Sequence, residues 1–381
     1  MYYRSISFFC LFFLSLTKFF GPEKGFSSGD VGLYQITGLL IFFLTTIIIN
    51  NKNNLNNLEI DKYLFLFFLI VIASSFLSLS FISIIYSSLF FINTLFIYSI
   101  FKDSSHSIIP VVKFAGIFLL FLMAIQLFLY GVDMGRGREV GNFEPNQFAI
   151  LGLCSIALIF FSIKNIYIRI LSLLIALFMI VATVSRGAMI VSLIFISTYT
   201  FIFSISNYTY RILFNYLSIF IIFSLTIFFL NYQYFYDLLY ELFFFYEITS
   251  SGRGFDSGFT GRDVLWINAL DQFTLHPLLG SGLRNFDLRS HSTYILLIVE
   301  TGILGLLSFS LFLLNILFQG IKIVQQKYDD KINVSFSFIL SMCFLGVIEK
   351  SVLLFTMPNS LLIFFFSSYI FFIKKTKINL F

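Results

Sequence analysis

The stretch from 292 to 318, STYILLIVETGILGLLSFSLFLLNILF, carries Glu300 as its sole ionisable residue apart from a tyrosine. As a helix it would be about 40 Å long at 1.5 Å per residue, more than a hydrocarbon core of about 30 Å requires. Working back towards the N-terminus, runs of the same kind occupy 3–20, 31–49, 62–80, 81–101, 108–130, 146–163, 166–184, 188–206 and 211–231, and two more follow at 334–351 and 353–373. Residues 62–101 form one continuous apolar block, which we divide at Ser78, Ser80 and Ser83. The 381 residues are 59% hydrophobic and only 11% charged, against about 25% charged in soluble domains, so there are too few charges to cover a water-facing surface. The pattern predicts an all-α polytopic membrane protein with about 12 transmembrane helices.

Composition removes several function classes. Cys10, Cys154 and Cys343 all lie inside apolar runs, which leaves neither a disulfide framework nor a thiolate metal site. The net charge of +5 is scattered over the loops rather than gathered in a stripe, so no nucleic-acid partner is expected. The basic residues report orientation instead. Placing the N-terminus in the cytoplasm puts Arg4, Lys52, Lys62, Lys102, Lys113, Lys164, Arg169, Arg211, Lys322, Lys327, Lys331, Lys374, Lys375 and Lys377 on that side, with both termini cytoplasmic. Lys24, Arg136, Arg138, Arg186, Arg253, Arg262, Arg284, Arg289 and Lys350 then face outward. The inner set is mostly Lys and the outer set mostly Arg, whose planar fork of donors suits phosphate or carboxylate. The outer face reads as built to hold an anion, unless these arginines pair with Asp133, Glu139, Glu144, Asp256, Asp263, Asp271 and Asp287 in the same loops.

The chain divides into 1–231 with nine spans, a large outer loop at 232–291, and 292–381 with three more spans and a cytoplasmic end. Within the loop, Tyr232 to Tyr246 is aromatic and suits the interface, and a Gly/Ser linker runs from Ser250 through Gly261. A helix is expected next, with Thr260 as N-cap, Asp263 three residues on, and Pro277 as its stop. The turn Gly280-Ser281-Gly282 then exposes consecutive N–H groups that can nest a phosphate oxygen, with Arg284 and Arg289 flanking it. A plain turn is the alternative. His291 stands where the chain re-enters the membrane and is a candidate base, or else an interfacial histidine bonded to a neighbouring helix. Arg186 is pinned between two spans in Ser185-Arg186-Gly187, which preorganises its guanidinium. Glu300 is better read as packing or proton coupling than as direct catalyst, and Gly302 and Gly305 as sites of close helix packing.

In order, Phe143-Glu144-Pro145-Asn146-Gln147-Phe148-Ala149, Ser185-Arg186-Gly187-Ala188, Thr260-Gly261-Arg262-Asp263-Val264-Leu265-Trp266, His276-Pro277-Leu278-Leu279-Gly280-Ser281-Gly282, and His291-Ser292 with Gly302 and Gly305 resemble the O-antigen ligase and O-antigen polymerase (WaaL/Wzy) superfamily over about residues 140–310. The resemblance implies a GT-C-like membrane fold with short helices in a large periplasmic loop. It also implies a metal-independent glycosyltransferase of the bacterial inner membrane with no cofactor. Its donor would be an oligosaccharide on polyprenyl (undecaprenyl) diphosphate, its acceptor a glycan hydroxyl, with membrane lipids around it and a chain-length regulator as a further partner. Family arginines correspond to Arg186 and Arg262, with Arg284 and Arg289 beside them, and the ligase pattern of His, a polar residue and a later Gly is met by His291, Ser292 and Gly302. The polymerase pattern of an Arg with a Gly eleven positions on is absent at Arg186, Arg253, Arg262, Arg284 and Arg289.

Together these readings make His291 and Arg186 the expected catalytic residues, and Arg262, Arg284, Arg289, Gly280, Gly282 and Asn146 the expected substrate contacts. A twelve-span transporter or flippase is the alternative from another class. It would need matching halves and charged groups through the bilayer midplane, and the sequence has neither an internal repeat nor such a path.

Overall fold

The computed structural model describes residue 12 and residues 60–103, 108–131, 145–183, 185–206, 262–284, 291–325, 329–353 and 357–378. All regular structure among them is helical: α1 (Lys62–Leu77), α2 (Phe81–Asp103), α3 (Ile109–Tyr130), α4 (Pro145–Ser162), α5 (Ile166–Ala182), α6 (Arg186–Ser206), α7 (Arg262–Leu275), α8 (Thr293–Gln325), α9 (Asp330–Ile348), a 3-10 turn (Lys350–Leu353) and α10 (Pro358–Ile378). Nine of the twelve expected spans correspond to these helices; those at 31–49 and 211–231, and that at 3–20 apart from Phe12, lie outside the described residues. Five described helices are long and apolar enough to cross a membrane, and four shorter apolar ones, α1, α4, α5 and α10, accompany them. The chain is an all-α polytopic membrane protein.

Local chemistry sets the ends. Asp61 caps α1 by accepting from Tyr63 N at 2.9 Å, and Asn165 caps α5 by accepting from Tyr167 N at 2.9 Å. The serine-rich division of the 62–101 block is where the structure breaks it. Ser78 closes α1, Leu79 takes a left-handed φ of 52°, and α2 starts at Phe81. The helix anticipated before Pro277 is α7, while its Thr260 cap lies outside the described residues.

Residues are sorted as lipid solvation requires. Bulky apolar side chains such as Phe65, Phe76, Phe114, Phe128, Phe178 and Leu193 point outward, whereas Ser74, Ser155, Ser172, Ser204, Ser308 and Ser341 are buried between helices. Each of those six hydroxyls donates to a backbone carbonyl. With hydrocarbon outside, burial of apolar surface gives no preference, and close packing decides the inward face. The helix pairs α3 with α4, α1 with α8 and α6 with α9 pack along the bundle.

At one end of the bundle Arg169 joins four helices. Its guanidinium donates to the Phe160 carbonyl at 2.6 Å, to Tyr199 Oη at 2.7 Å, to the Ile163 carbonyl and to Asp330. The sequence marks Arg169 only as a cytoplasmic point charge; in the fold it is a buried cross-brace. Its removal takes the counter-charge from Asp330 and the donor from two carbonyls, so Arg169→Ala is expected to destabilise the folded state by on the order of 3 kcal/mol. A clear drop in the unfolding temperature of the detergent-solubilised protein is the readout, and Arg169→Lys should recover only part of it, because an ammonium lacks the fork.

Helix α8 is the element that positions the site. It is interrupted at Gly302, where φ is 69° and ψ is −174°. The groups freed by the break are taken up by the chain that follows α7. Ile303 N donates to the Pro277 carbonyl at 3.0 Å and Leu304 N to that of Leu278 at 3.3 Å, while Ser281 N and Gly282 N donate to the carbonyls of Val299 at 3.0 Å and Glu300 at 2.9 Å. A β-carbon at 302 would overlap the Leu278 carbonyl, so glycine is required for both its backbone angle and the space. Irregular backbone at membrane depth is tolerated where protein supplies the missing partners, as here.

Candidate active site

At the bundle end opposite Arg169, four helix termini converge. Asn146 opens α4, Ser185 precedes α6, His291 to Thr293 enter α8, and Glu349 ends α9. Ser185 Oγ donates to Asn146 Oδ1 at 2.7 Å, and Asn146 Nδ2 donates to Glu349 Oε1 at 2.5 Å. The Glu349 carbonyl in turn accepts from Thr293 N at 3.2 Å and Thr293 Oγ1 at 2.6 Å. Ser292 Oγ adds a bond to the Gly346 carbonyl at 3.3 Å, and Tyr294 Oη one to the Cys343 carbonyl at 2.8 Å. The entry to α8 is thereby fastened along the last turns of α9. Gly187 lies against Ile348, which brings the start of α6 onto the same place.

This network joins the two segments expected to be catalytic. Arg186 is the first residue of α6, directly after Ser185, and the described part of Arg186 is its backbone. His291 is half-buried at a bend one residue ahead of Ser292 and Thr293, which are both buried. Placement of the two backbones is thus shared through Ser185, Asn146, Glu349 and Thr293, with a sequence separation of 203 across the Asn146 to Glu349 step.

A second cluster lies at the α8 break. Glu300 is buried, and its Oε1 accepts from Arg284 N at 3.0 Å while its carbonyl also accepts from Ser74 Oγ at 2.7 Å. Arg284 holds a left-handed φ of 59°, unusual outside glycine, and its exposed guanidinium sits 5.5 Å from the Tyr86 ring centroid. Gly282 packs into the α1–α2 turn, against Ser78 and Ser83. Along α8, Glu300 stands about 10 Å from Thr293 at 1.5 Å per residue, so the two clusters lie at successive points of one helix rather than at a single point.

The other expected substrate contacts have these surroundings. The Gly280-Ser281-Gly282 turn is not an open phosphate nest: Gly280 N donates to the His276 carbonyl, Ser281 N and Gly282 N to α8, and Arg284 N to Glu300. These glycines seat the loop on α8. Asn146, expected at the substrate, has its amide oxygen and one amide N–H engaged by Ser185 and Glu349, so it bridges helix ends. Arg262 starts α7, whose other end docks at the α8 break, and its backbone is therefore about 20 Å from that end at 1.5 Å per residue. The Arg262 side chain and the whole of Arg289 lie outside the described residues.

Sequence reasoning overlooked Ser185 and Glu349 as parts of the site. The available signal was a carboxylate ending an otherwise apolar run, Glu349 next to Lys350, which reads first as a topological marker.

Residues 171–310 match the model of a family described as O-antigen ligase (Wzy_C). The matched range contains most of α5, all of α6 and α7, the glycine turn, His291, Glu300 and the α8 break. Asn146 and Glu349 fall on either side of it. No curated protein matches the chain significantly.

Proposed function

We propose that this chain, whose residues 171–310 match the O-antigen ligase family model, is a member of the Wzy/WaaL superfamily and moves a glycan from a polyprenyl diphosphate to a sugar hydroxyl at the periplasmic face of the bacterial inner membrane. The match implies polymerase- or ligase-type activity on a lipid-linked glycan and an acceptor. The observation that carries the finer reading is the hydrogen-bonded path from Ser185 to Thr293, which supports placing Arg186 and His291 at one helix-end cluster.

In this mechanism Arg186, with Arg284 or Arg262 as a second cation, grips the diphosphate and stabilises the charge that grows on it as it leaves. His291 accepts the proton of the attacking hydroxyl. The hydroxyl oxygen bonds to the anomeric carbon as the bond from that carbon to the phosphate oxygen breaks. Attack from the opposite side inverts the configuration. The energy already stored in the lipid diphosphate drives the step without a nucleotide, and the charge is carried by guanidinium groups without a metal. The donor is an undecaprenyl-diphosphate-linked oligosaccharide, and a chain-length regulator protein is a further partner.

Of the two acceptors, a second lipid-linked repeat unit is favoured, which makes the chain an O-antigen polymerase, because its outer-loop sequence departs widely from the ligase pattern. The second reading, transfer to lipid A core, is favoured by the spacing from His291-Ser292 to Gly302. Lipopolysaccharide from a deletion strain separates them: the polymerase reading predicts core bearing a single repeat, and core bearing none would establish ligase activity instead.

A further inference from the structure

The mechanism leaves one carboxylate at the helix-end cluster, outside the matched range, without a role. Glu349 ends α9 in extended backbone, with φ −137° and ψ 141°, so its peptide carbonyl turns away from the helix and toward the entry of α8. That carbonyl takes two hydrogen bonds from Thr293, and the side chain of the same residue takes one from Asn146, which holds Ser185. One residue therefore touches both arms of the path, its main chain on the His291 side and its carboxylate on the Arg186 side. We infer that Glu349 is a positioning residue of the transfer reaction: it fixes the separation of the His291 and Arg186 segments by joining the entry of α8 to the starts of α4 and α6.

Three elements from distant parts of the chain have no covalent reason to keep register at a membrane surface. Ser185 reaches only as far as Asn146, and Thr293 only as far as the Glu349 main chain, so the Asn146–Glu349 bond is the step that closes the path. It is short, it lies at half-buried positions, and it joins a charged acceptor to an amide donor, which makes it stronger than a neutral pair. Displacement of a reacting group by about 1 Å can cost about 100-fold in rate, so loosening this joint should act on turnover more than on substrate affinity.

This inference rests on the transferase reading, and the experiment separates the two. Purified full-length protein is assayed in detergent or nanodiscs with a lipid-linked oligosaccharide, and kcat and KM for the donor are measured for the wild type, Glu349→Ala, Asn146→Asp and the double variant Asn146→Asp with Glu349→Gln. Glu349→Ala should lower kcat by roughly 10- to 100-fold with donor KM within about threefold of wild type. Asn146→Asp alone should be as poor, because it sets two carboxylates against each other. In the double variant the polarity of the bond is reversed: the introduced glutamine supplies the N–H, and the introduced aspartate accepts it while still accepting from Ser185. Recovery of kcat to within about fivefold of wild type is expected there. A double variant no better than Asn146→Asp alone, or a Glu349→Ala protein with wild-type kcat, overturns the inference. Should Glu349→Ala not accumulate in membranes, Asn146→Asp and the double variant carry the test by themselves. A wild-type protein that transfers no glycan sinks the transferase reading instead.

Discussion

His291→Ala is expected to lower kcat for glycan transfer by on the order of 100- to 10,000-fold, the range lost when a positioned base is removed. Binding of the lipid-linked donor should change little, because the proposed mechanism assigns the diphosphate to arginine and not to the imidazole. The reason lies in where the backbone puts the residue. His291 stands at the bend into α8, half-buried, with Ser292 and Thr293 bonded to Gly346 and Glu349 immediately behind it. That anchorage is made by the neighbours and survives the substitution, so the variant should fold, and a normal unfolding temperature in detergent is the control. Donor binding can be followed with a fluorescent polyprenyl diphosphate. Equal losses in binding and turnover would move His291 from proton acceptor to structural residue.

Gly302→Ala is expected to have the largest effect on the fold itself. The φ of 69° with ψ of −174° is a backbone region that glycine alone occupies readily, and strain there costs on the order of 1–3 kcal/mol before any clash is considered. The clash is with the Leu278 carbonyl, which belongs to the backbone and cannot rotate aside. Relief requires the segment 277–282 to leave the break, and its departure would unsatisfy the N–H groups of Ile303 and Leu304 and the carbonyl of Val299 together, while the Glu300 carbonyl would keep only Ser74 Oγ. Each such group left in hydrocarbon costs several kcal/mol. The variant should therefore fail to accumulate, or show markedly faster proteolysis at the 276–284 segment, and immunoblotting of membranes with limited protease reads either outcome. Wild-type abundance and protease resistance would mean that α8 can close into a continuous helix without that segment.

The legible and illegible parts of this fold divide by range. Span lengths, the break of the 62–101 block at its serines, and the stop of α7 before Pro277 are short-range properties, decided by apolar run length, local hydroxyls and proline. The serine break and the α7 stop stand where the sequence places them, and the nine described spans correspond to helices whose ends shift by up to a few residues, as at Asp330–Ile348 against 334–351. The α8 interruption was not legible, because 292–318 reads as one apolar run and its break exists only through carbonyl and N–H partners lent by residues 277–282. The same holds for Arg169. In sequence it is one more positive charge at the start of a span; its acceptors come from α4 and the residue after it, from α6 and from α9. At the site, the glycine turn carries the composition of an anion nest, yet its N–H groups are engaged by α8 and His276, a pairing that composition cannot reveal. Asn146 and Glu349 are 203 residues apart, and nothing in either local pattern announces the other.

In the proposed enzyme, guanidinium and imidazole are carried by separate helices whose ends are held in register by neutral and acidic side chains. The most direct test is transfer by the purified protein given an undecaprenyl-diphosphate-linked repeat unit in the presence of a chelator, with Arg186→Ala run beside the wild type. The wild type is expected to give elongated glycan with an inverted new linkage, undiminished by the chelator, and the variant to lose product formation about 100-fold or more. Full activity in Arg186→Ala, or wild-type activity that disappears with the chelator and returns with a divalent cation, would contradict a cationic transfer site at this helix end.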